Sequence, residues 1–196
     1  MYPSYRERPP RLVGGHPVLD LLNTVEWRGT DRPVERLTDA SEVIAWSEAS
    51  AVIDRAEADE LDDAAKAEPA VAEAARRRLI GFREAARGVL LGNAEDAQAE
   101  VNRLFAAYPT IWRVAGGSVR PVPPEEPHAL PLVRLIAALA AFLADPARPP
   151  VRACGDPRCG WVFADGSRRR NRLWCDMGGC GNRAKARRHA ARRKGT

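Results

Sequence analysis

The sequence predicts a mainly α protein. A helical N-terminal domain with a small β-hairpin is followed by a small cysteine-bearing module, of ribbon or treble-clef type, that ends in a basic helix. Three observations predict it. Apolar residues recur at helical spacing through most of the first three quarters of the chain. All four cysteines lie in the last quarter. The charge divides at the same place: residues 1–147 hold 17 basic and 23 acidic side chains, whereas residues 148–196 hold 14 basic and 3 acidic. The domains are therefore drawn at 1–147 and 148–196, the first a candidate for ligand sensing or dimerisation, the second for nucleic-acid binding.

The chain's 196 residues suffice for one ordinary domain and a small appendage. Met1–Leu12 is polar and contains prolines, with no apolar signal core, which predicts a cytoplasmic protein. The longest uncharged apolar run, Leu135–Ala144, has 10 residues and is too short to span a bilayer, so no membrane partner is expected.

Val18, Leu19, Leu22 and Val25 suggest a short helix after the Gly14-Gly15 turn. Asp39 with Glu42, and Asp54 with Glu57, have the spacing of capping boxes. From Ala70 to Leu91, the residues Val71, Ala75, Leu79, Phe82, Ala86 and Val89 make one helical stripe, with Arg76, Arg77, Arg78 and Arg83 largely off it. Gly92-Asn93 ends that helix and can cap the next, which buries Val101, Leu104, Phe105 and Tyr108. Ile111–Ala115 and Ser118–Val122 flank Gly116-Gly117, a hairpin signal. Pro121–Pro127 should be irregular, with His128 exposed beyond it. Leu130–Leu143, interrupted only by Arg134, reads as a buried helix, and Asp145–Pro150 as a linker.

No nucleophile, acid–base pair or phosphate loop emerges, so an enzyme is not expected. Asp20, Asn23, Thr24 and Arg28 lie three or four apart and can share a helix face. Capping and the satisfaction of a buried loop explain them best; a small-ligand pocket is the alternative.

Cys154, Cys159, Cys175 and Cys180 form two C-x4-C pairs separated by fifteen residues. Two pairs of thiols brought together by an intervening hairpin suit tetrahedral Zn2+. Disulfides would need an oxidising compartment, and nothing nearby suggests the electron transfer of an iron–sulfur cluster. Four thiolates leave no open coordination position, which makes the metal structural. Trp161, Val162 and Phe163 can cover one side of it; Trp161 and Trp174 could alternatively stack on bases, though a small core is the simpler role. Beyond the last cysteine, residues 184–194 are good helix formers. The candidate nucleic-acid contacts are Arg168, Arg169, Arg170 and Arg172, before the second pair, and Arg183, Lys185, Arg187, Arg188, Arg192 and Arg193 after it.

Phe163–Arg183 reads FADGSRRRNRLWCDMGGCGNR and continues AKARRH. It resembles the CGNR zinc-finger family through Cys180, Gly181, Asn182 and Arg183, through Trp174-Cys175-x-Met177, and through Ala184–Arg188. Asp176 stands where a small residue such as Ser is expected. Gly14-Gly15, Leu19-Asp20-Leu21-Leu22-Asn23-Thr24 and Arg28 resemble the opening of the ABATE domain, which usually precedes this finger. The resemblance implies a mostly helical N-terminal domain, the four cysteines as zinc ligands, and a bacterial, stress-responsive transcription regulator that binds DNA. RNA, or an acidic protein partner docked by a zinc-stabilised interaction module, are the alternatives; a homodimer would accompany a pseudo-palindromic site.

Overall fold

The computed structural model describes residues 2–92, 94–122 and 125–194. In chain order the elements are α1 (Pro17–Leu22), β1 (Val25–Glu26), β2 (Val34–Glu35), α2 (Ala40–Ala49), α3 (Arg55–Ala67), α4 (Pro69–Gly92), α5 (Glu95–Ala107), β3 (Ile111–Ala115), β4 (Ser118–Val122), α6 (Leu130–Ala144), β5 (Val151–Ala153), β6 (Val162–Ala164) and α7 (Asn182–Lys194). They divide into two units. One comprises Met1–Leu12 and Arg36–Arg148, the other Val13–Glu35 and Pro149–Thr196. Chain order alone suggests a single boundary at 147/148. The structure instead assigns Val13–Glu35 to the cysteine-bearing unit, for reasons that lie in its side chains.

In the helical unit, the core is built from Trp46 of α2, Leu79 and Phe82 of α4, and Leu135, Ile136 and Leu139 of α6, all nearly inaccessible to water. Asp39 caps α2 by accepting from the Glu42 N–H. The box is not closed, because the Glu42 carboxylate accepts from the Tyr5 N–H at 3.0 Å instead. Asp54 and Glu57 do form the reciprocal box at the start of α3. Glu57 also receives both arms of the Arg134 guanidinium at 2.6 Å, which explains the one charge within α6: it pins that helix to the start of α3. Burial pushes the Glu57 carboxyl up, but the Arg134 and Asp54 donors together hold it below the usual range.

The α4 stripe is displaced from the expected one. Ala72, Ala75, Leu79, Phe82, Ala85 and Ala86 are buried, Val71 is exposed, and Arg83 lies inside with its Nε donating to Glu84. Helix α5 packs on α4 through buried Val101 and Leu104; Phe105 and Tyr108 are only half-buried. Its N-cap position is Ala94, without a side-chain cap; Asn93, expected there, lies outside the described residues.

Strands β3 and β4 pair in the expected register, with Gly116 and Gly117 both at positive φ in the turn. Pro121 belongs to β4 rather than to an irregular stretch. It faces Trp112 in a pair that exchanges no ladder hydrogen bonds, where its missing N–H costs nothing. Trp112, Val114 and Val119 are exposed. Pro127–Ala129 forms a 3-10 turn leading into α6, and His128 is half-buried. Pro127–Ala144 is long and apolar enough to cross a membrane by length and composition, a longer segment than the uncharged run indicates. Here Leu130, Leu132, Val133, Leu135, Ile136 and Leu139 are buried in the helical core.

In the second unit, α1 ends at Leu22, and Val25 leaves the expected helix for β1. Strand β6 pairs with β5 antiparallel, Arg152 opposite Phe163. The hairpin thus joins the two strands on either side of the first cysteine pair, and does not lie within the insert between pairs. The other edge of β6 is closed by the N-terminal segment. Val162 donates to Asn23 Oδ1 at 2.8 Å and accepts from Asn23 Nδ2 at 2.9 Å, and the Ala164 N–H donates to the Gly14 carbonyl at 2.8 Å. A short exposed strand edge is thereby paired on both sides. The loop between β1 and β2 approaches the first cysteine loop so closely that a Cβ on Gly29 would stand 1.8 Å from the Pro157 carbonyl oxygen.

Candidate metal centre and basic helix

Cys154 follows β5 and Cys159 precedes β6, so the first pair sits in the loop of the β5–β6 hairpin. The Cys154 N–H donates to the Trp161 carbonyl, and that of Cys159 to the Asp156 carbonyl. Gly160 supplies the left-handed residue, φ +70°, that returns the chain to β6. The second pair brackets the entry to α7. Asp176, at the position where a small residue is expected, caps the wide turn Met177–Gly181 by accepting from the Gly179 N–H at 2.5 Å. That turn carries Cys180 to the first residue of α7.

The four Sγ atoms lie within 4.8 Å of one another, with 3.7 Å between Cys159 and Cys175 and 3.5 Å between Cys175 and Cys180. A tetrahedron of ~2.3 Å zinc–sulfur bonds has edges of about 3.8 Å, so the cluster has the right size. All four residues are buried, with Phe163 inside and Val13, Trp161 and Trp174 packed against them. Both tryptophans thus take the core role, and the Trp161 Nε1–H donates to the Val25 carbonyl. Thiols this close cannot ionise together without a cation. Hydrogen bonds from Cys159 and Cys175 favour the Cys154 thiolate, and that thiolate pushes Cys159 up to about 12 and raises Cys175 as well. A divalent ion removes the conflict by holding all four as thiolates. The donor set is a structural four-cysteine zinc site with no coordination position left for substrate.

Three of the arginines read as nucleic-acid contacts bond inside the unit. Arg172 stacks on Phe163 at 4.2 Å and donates to the carbonyls of Trp174, Val13 and Cys175. Arg183 donates to Cys180 Sγ at 2.8 Å and to Asp156 Oδ2 at 3.1 Å. Arg187 pairs with the other oxygen of Asp156 at 3.4 Å. Asp156 itself is fully covered. Burial alone would raise its carboxyl, and the Arg183 and Arg187 guanidiniums with the Arg158 N–H bring it below the usual range. Arg152, not foreseen, pairs with the covered carboxylate of Asp165.

Arg168, Arg169 and Arg170 are exposed on the loop before Cys175. Among the described side chains of α7, only Ala184 is buried. Measured round the helix from Ala184 at about 100° per residue, Arg183 and Arg187 fall to one side, turned toward Asp156, Lys185, Arg188 and Arg192 fall to the other, and His189 and Arg193 lie farthest from Ala184; Lys185, Arg188, His189, Arg192 and Arg193 are all exposed. The basic residues of α7 thus divide into an inward pair, Arg183 and Arg187, and an outward stripe.

Three of the N-terminal polar residues, Asp20, Asn23 and Thr24, bond to backbone groups of their own unit. Asp20 Oδ1 accepts from the Gly14 N–H at 2.8 Å. Asn23 closes the β6 edge, and Thr24 Oγ1 donates to the Leu21 carbonyl. Arg28 lies in the β1–β2 loop, its Cβ 2.6 Å from where a Cβ on Gly160 would be.

A helical unit joined to a four-cysteine zinc site that leads into a basic helix defines a zinc-finger protein. Comparison with family models agrees. Residues 151–193 match the CGNR zinc finger, and residues 15–146 match ABATE, described as "Putative stress-induced transcription regulator". The ABATE match covers more than half of the chain, and the protein belongs to that family. No curated protein matches it.

Proposed function

We propose that this protein is a DNA-binding transcription regulator, without enzymatic activity, that contacts duplex DNA through the outward stripe of α7. The observation that carries the reading is the division of charge on that helix. Its inward arginines are matched by a buried carboxylate, whereas Lys185 and Arg188 present positive charge to solvent. Phosphates require such charge in a fixed geometry, and the zinc-held turn before α7 supplies the fixing. A helix of 13 residues is about 20 Å long and fits a major groove. Arg168, Arg169 and Arg170 extend the positive surface. Four unbridged thiols suit a reducing compartment, and the reading assigns the protein to the cytoplasm.

The test is binding of zinc-loaded protein to pooled genomic DNA fragments against matched RNA, across a salt series. Enrichment of a few DNA fragments that survives about 150 mM salt is the expected result. Preference for the RNA pool, or uniform binding that collapses with salt, overturns the reading.

A further inference from the structure

Arg183 lies at the meeting point of three groups. Its guanidinium donates to a ligand sulfur, Cys180 Sγ, at 2.8 Å. Its Nε donates to Asp156 Oδ2 at 3.1 Å, and its plane lies 5.0 Å from the centre of the Trp27 ring. Asp156 belongs to the first cysteine loop, Cys180 to the second pair, and Trp27 to the loop between β1 and β2. One side chain therefore ties together three segments far apart in sequence. Trp27 sits at φ +54°, a left-handed conformation that costs a non-glycine residue energy. Its ring lies within reach of two guanidiniums, that of Arg183 and that of Arg158 at 5.7 Å.

The electrostatics have a direct purpose. Four thiolates around a dication leave a doubly negative centre, and burial makes that charge costly. A guanidinium bonded to one sulfur drains charge from it. Asp156, fully covered, holds the guanidinium in place and is itself balanced by Arg187 at 3.4 Å. Outer partners of this kind orient ligands and tune the metal.

We propose that Arg183 is a positioning residue of the zinc centre, anchored by Asp156 and Trp27, and is not a nucleic-acid contact. It stabilises the Cys180 thiolate and locks α7 to the first cysteine loop. This inference stands apart from the DNA-binding reading, because it concerns the metal and the fold.

The experiment uses the full zinc-loaded chain. Zinc transfer to a chromophoric chelator is measured for Asp156→Asn, Arg183→Gln, Arg183→Lys and the comparison variant Arg188→Gln. Asp156→Asn and Arg183→Gln are expected to weaken zinc retention about 10- to 100-fold, with Arg183→Lys intermediate and Arg188→Gln like the parent. In the cobalt-substituted protein, Arg183→Gln is expected to move the sulfur-to-metal charge-transfer band to lower energy, a change that loosened packing alone would not produce. On duplex DNA, Arg188→Gln is expected to reduce the salt slope by about one, and zinc-loaded Arg183→Gln to leave it unchanged. The proposal is overturned if Asp156→Asn and Arg183→Gln hold zinc as the parent does. It is equally overturned if Arg183→Gln keeps its zinc and loses one unit of salt slope. A protein that binds no DNA would sink the functional reading while the chelator and cobalt measurements still decide this one.

Discussion

Replacing Asn23 with alanine tests whether the N-terminal segment is part of the zinc unit. Asn23 is 5% exposed and supplies both a donor and an acceptor to Val162, 139 residues later. Its loss leaves the Val162 N–H and carbonyl buried on that edge without their partners. Each such orphan costs about 1–3 kcal/mol, so the pair costs about 2–6 kcal/mol. The assay is urea unfolding of the cobalt-loaded protein followed by the sulfur-to-metal absorption, which reports on the second unit alone. The midpoint should fall by about 0.7 M or more for a slope of about 1–3 kcal/mol per molar urea. A midpoint within about 0.2 M of the parent would refute the reasoning: β6 would then not need Asn23, and Val13–Glu35 would be a mere neighbour of the finger.

Two glycines should respond oppositely to alanine. Gly29→Ala forces a Cβ to 1.8 Å from the Pro157 carbonyl oxygen and should destabilise the second unit by about 3 kcal/mol or more, seen as a lost or broadened cobalt spectrum. Gly81→Ala, in α4 with nothing within 4 Å of the new Cβ, should stabilise the helical unit by about 0.5–1 kcal/mol in thermal unfolding. Burial raises the Asp20 carboxyl to about 6 against the Gly14 and Val13 N–H donors. Its folded value exceeds its unfolded one, so neutral Asp20 favours folding at low pH and this contribution is lost as pH rises from about 4 to 6. Carboxyl titration by NMR should show a midpoint near 6; one below about 4.5 would mean that the donors outweigh burial. Chelating the zinc should abolish amide protection in residues 13–35 and 149–194 together, while α4 and α6 stay protected; independent behaviour of the two segments would contradict the shared unit.

Local signals in the sequence were legible where the chemistry is local. The two-glycine turn specifies the β3–β4 hairpin because both residues need positive φ. The Asp54–Glu57 box closes even though Arg134, 77 residues away, also binds Glu57, because one carboxylate can accept from both the guanidinium and the Asp54 N–H. The cysteine pairs announced their tetrahedron by spacing and residue type. What was not legible involves partners far along the chain. Glu42 is drawn from its box by Tyr5, 37 residues away. Val25 obeys helical spacing but pairs with Glu35 in a strand. Asn23 looks like a helix-face residue and serves as a substitute strand for β6. Charge counting cannot separate Arg172 and Arg183 from Arg188, since a guanidinium's use depends on whether a carbonyl, a sulfur or water stands opposite. The Asp156 side chain, one of only three acids in the basic segment, was the available hint that some of its arginines are matched internally.

The interleaving of the two units sets an order of assembly during synthesis. Asn23 leaves the ribosome long before Val162 is made, and the whole of residues 36–148 is translated in between. At about 5–20 residues per second that interval lasts roughly 7–28 s, ample for the helical unit to fold first. The N-terminal segment must wait through it with the apolar side of α1 uncovered. Zinc capture is then the last event, possible only once Cys180 has emerged. A chain cut short before its final turn can carry a finished helical unit, but it cannot hold the metal with all four sulfurs.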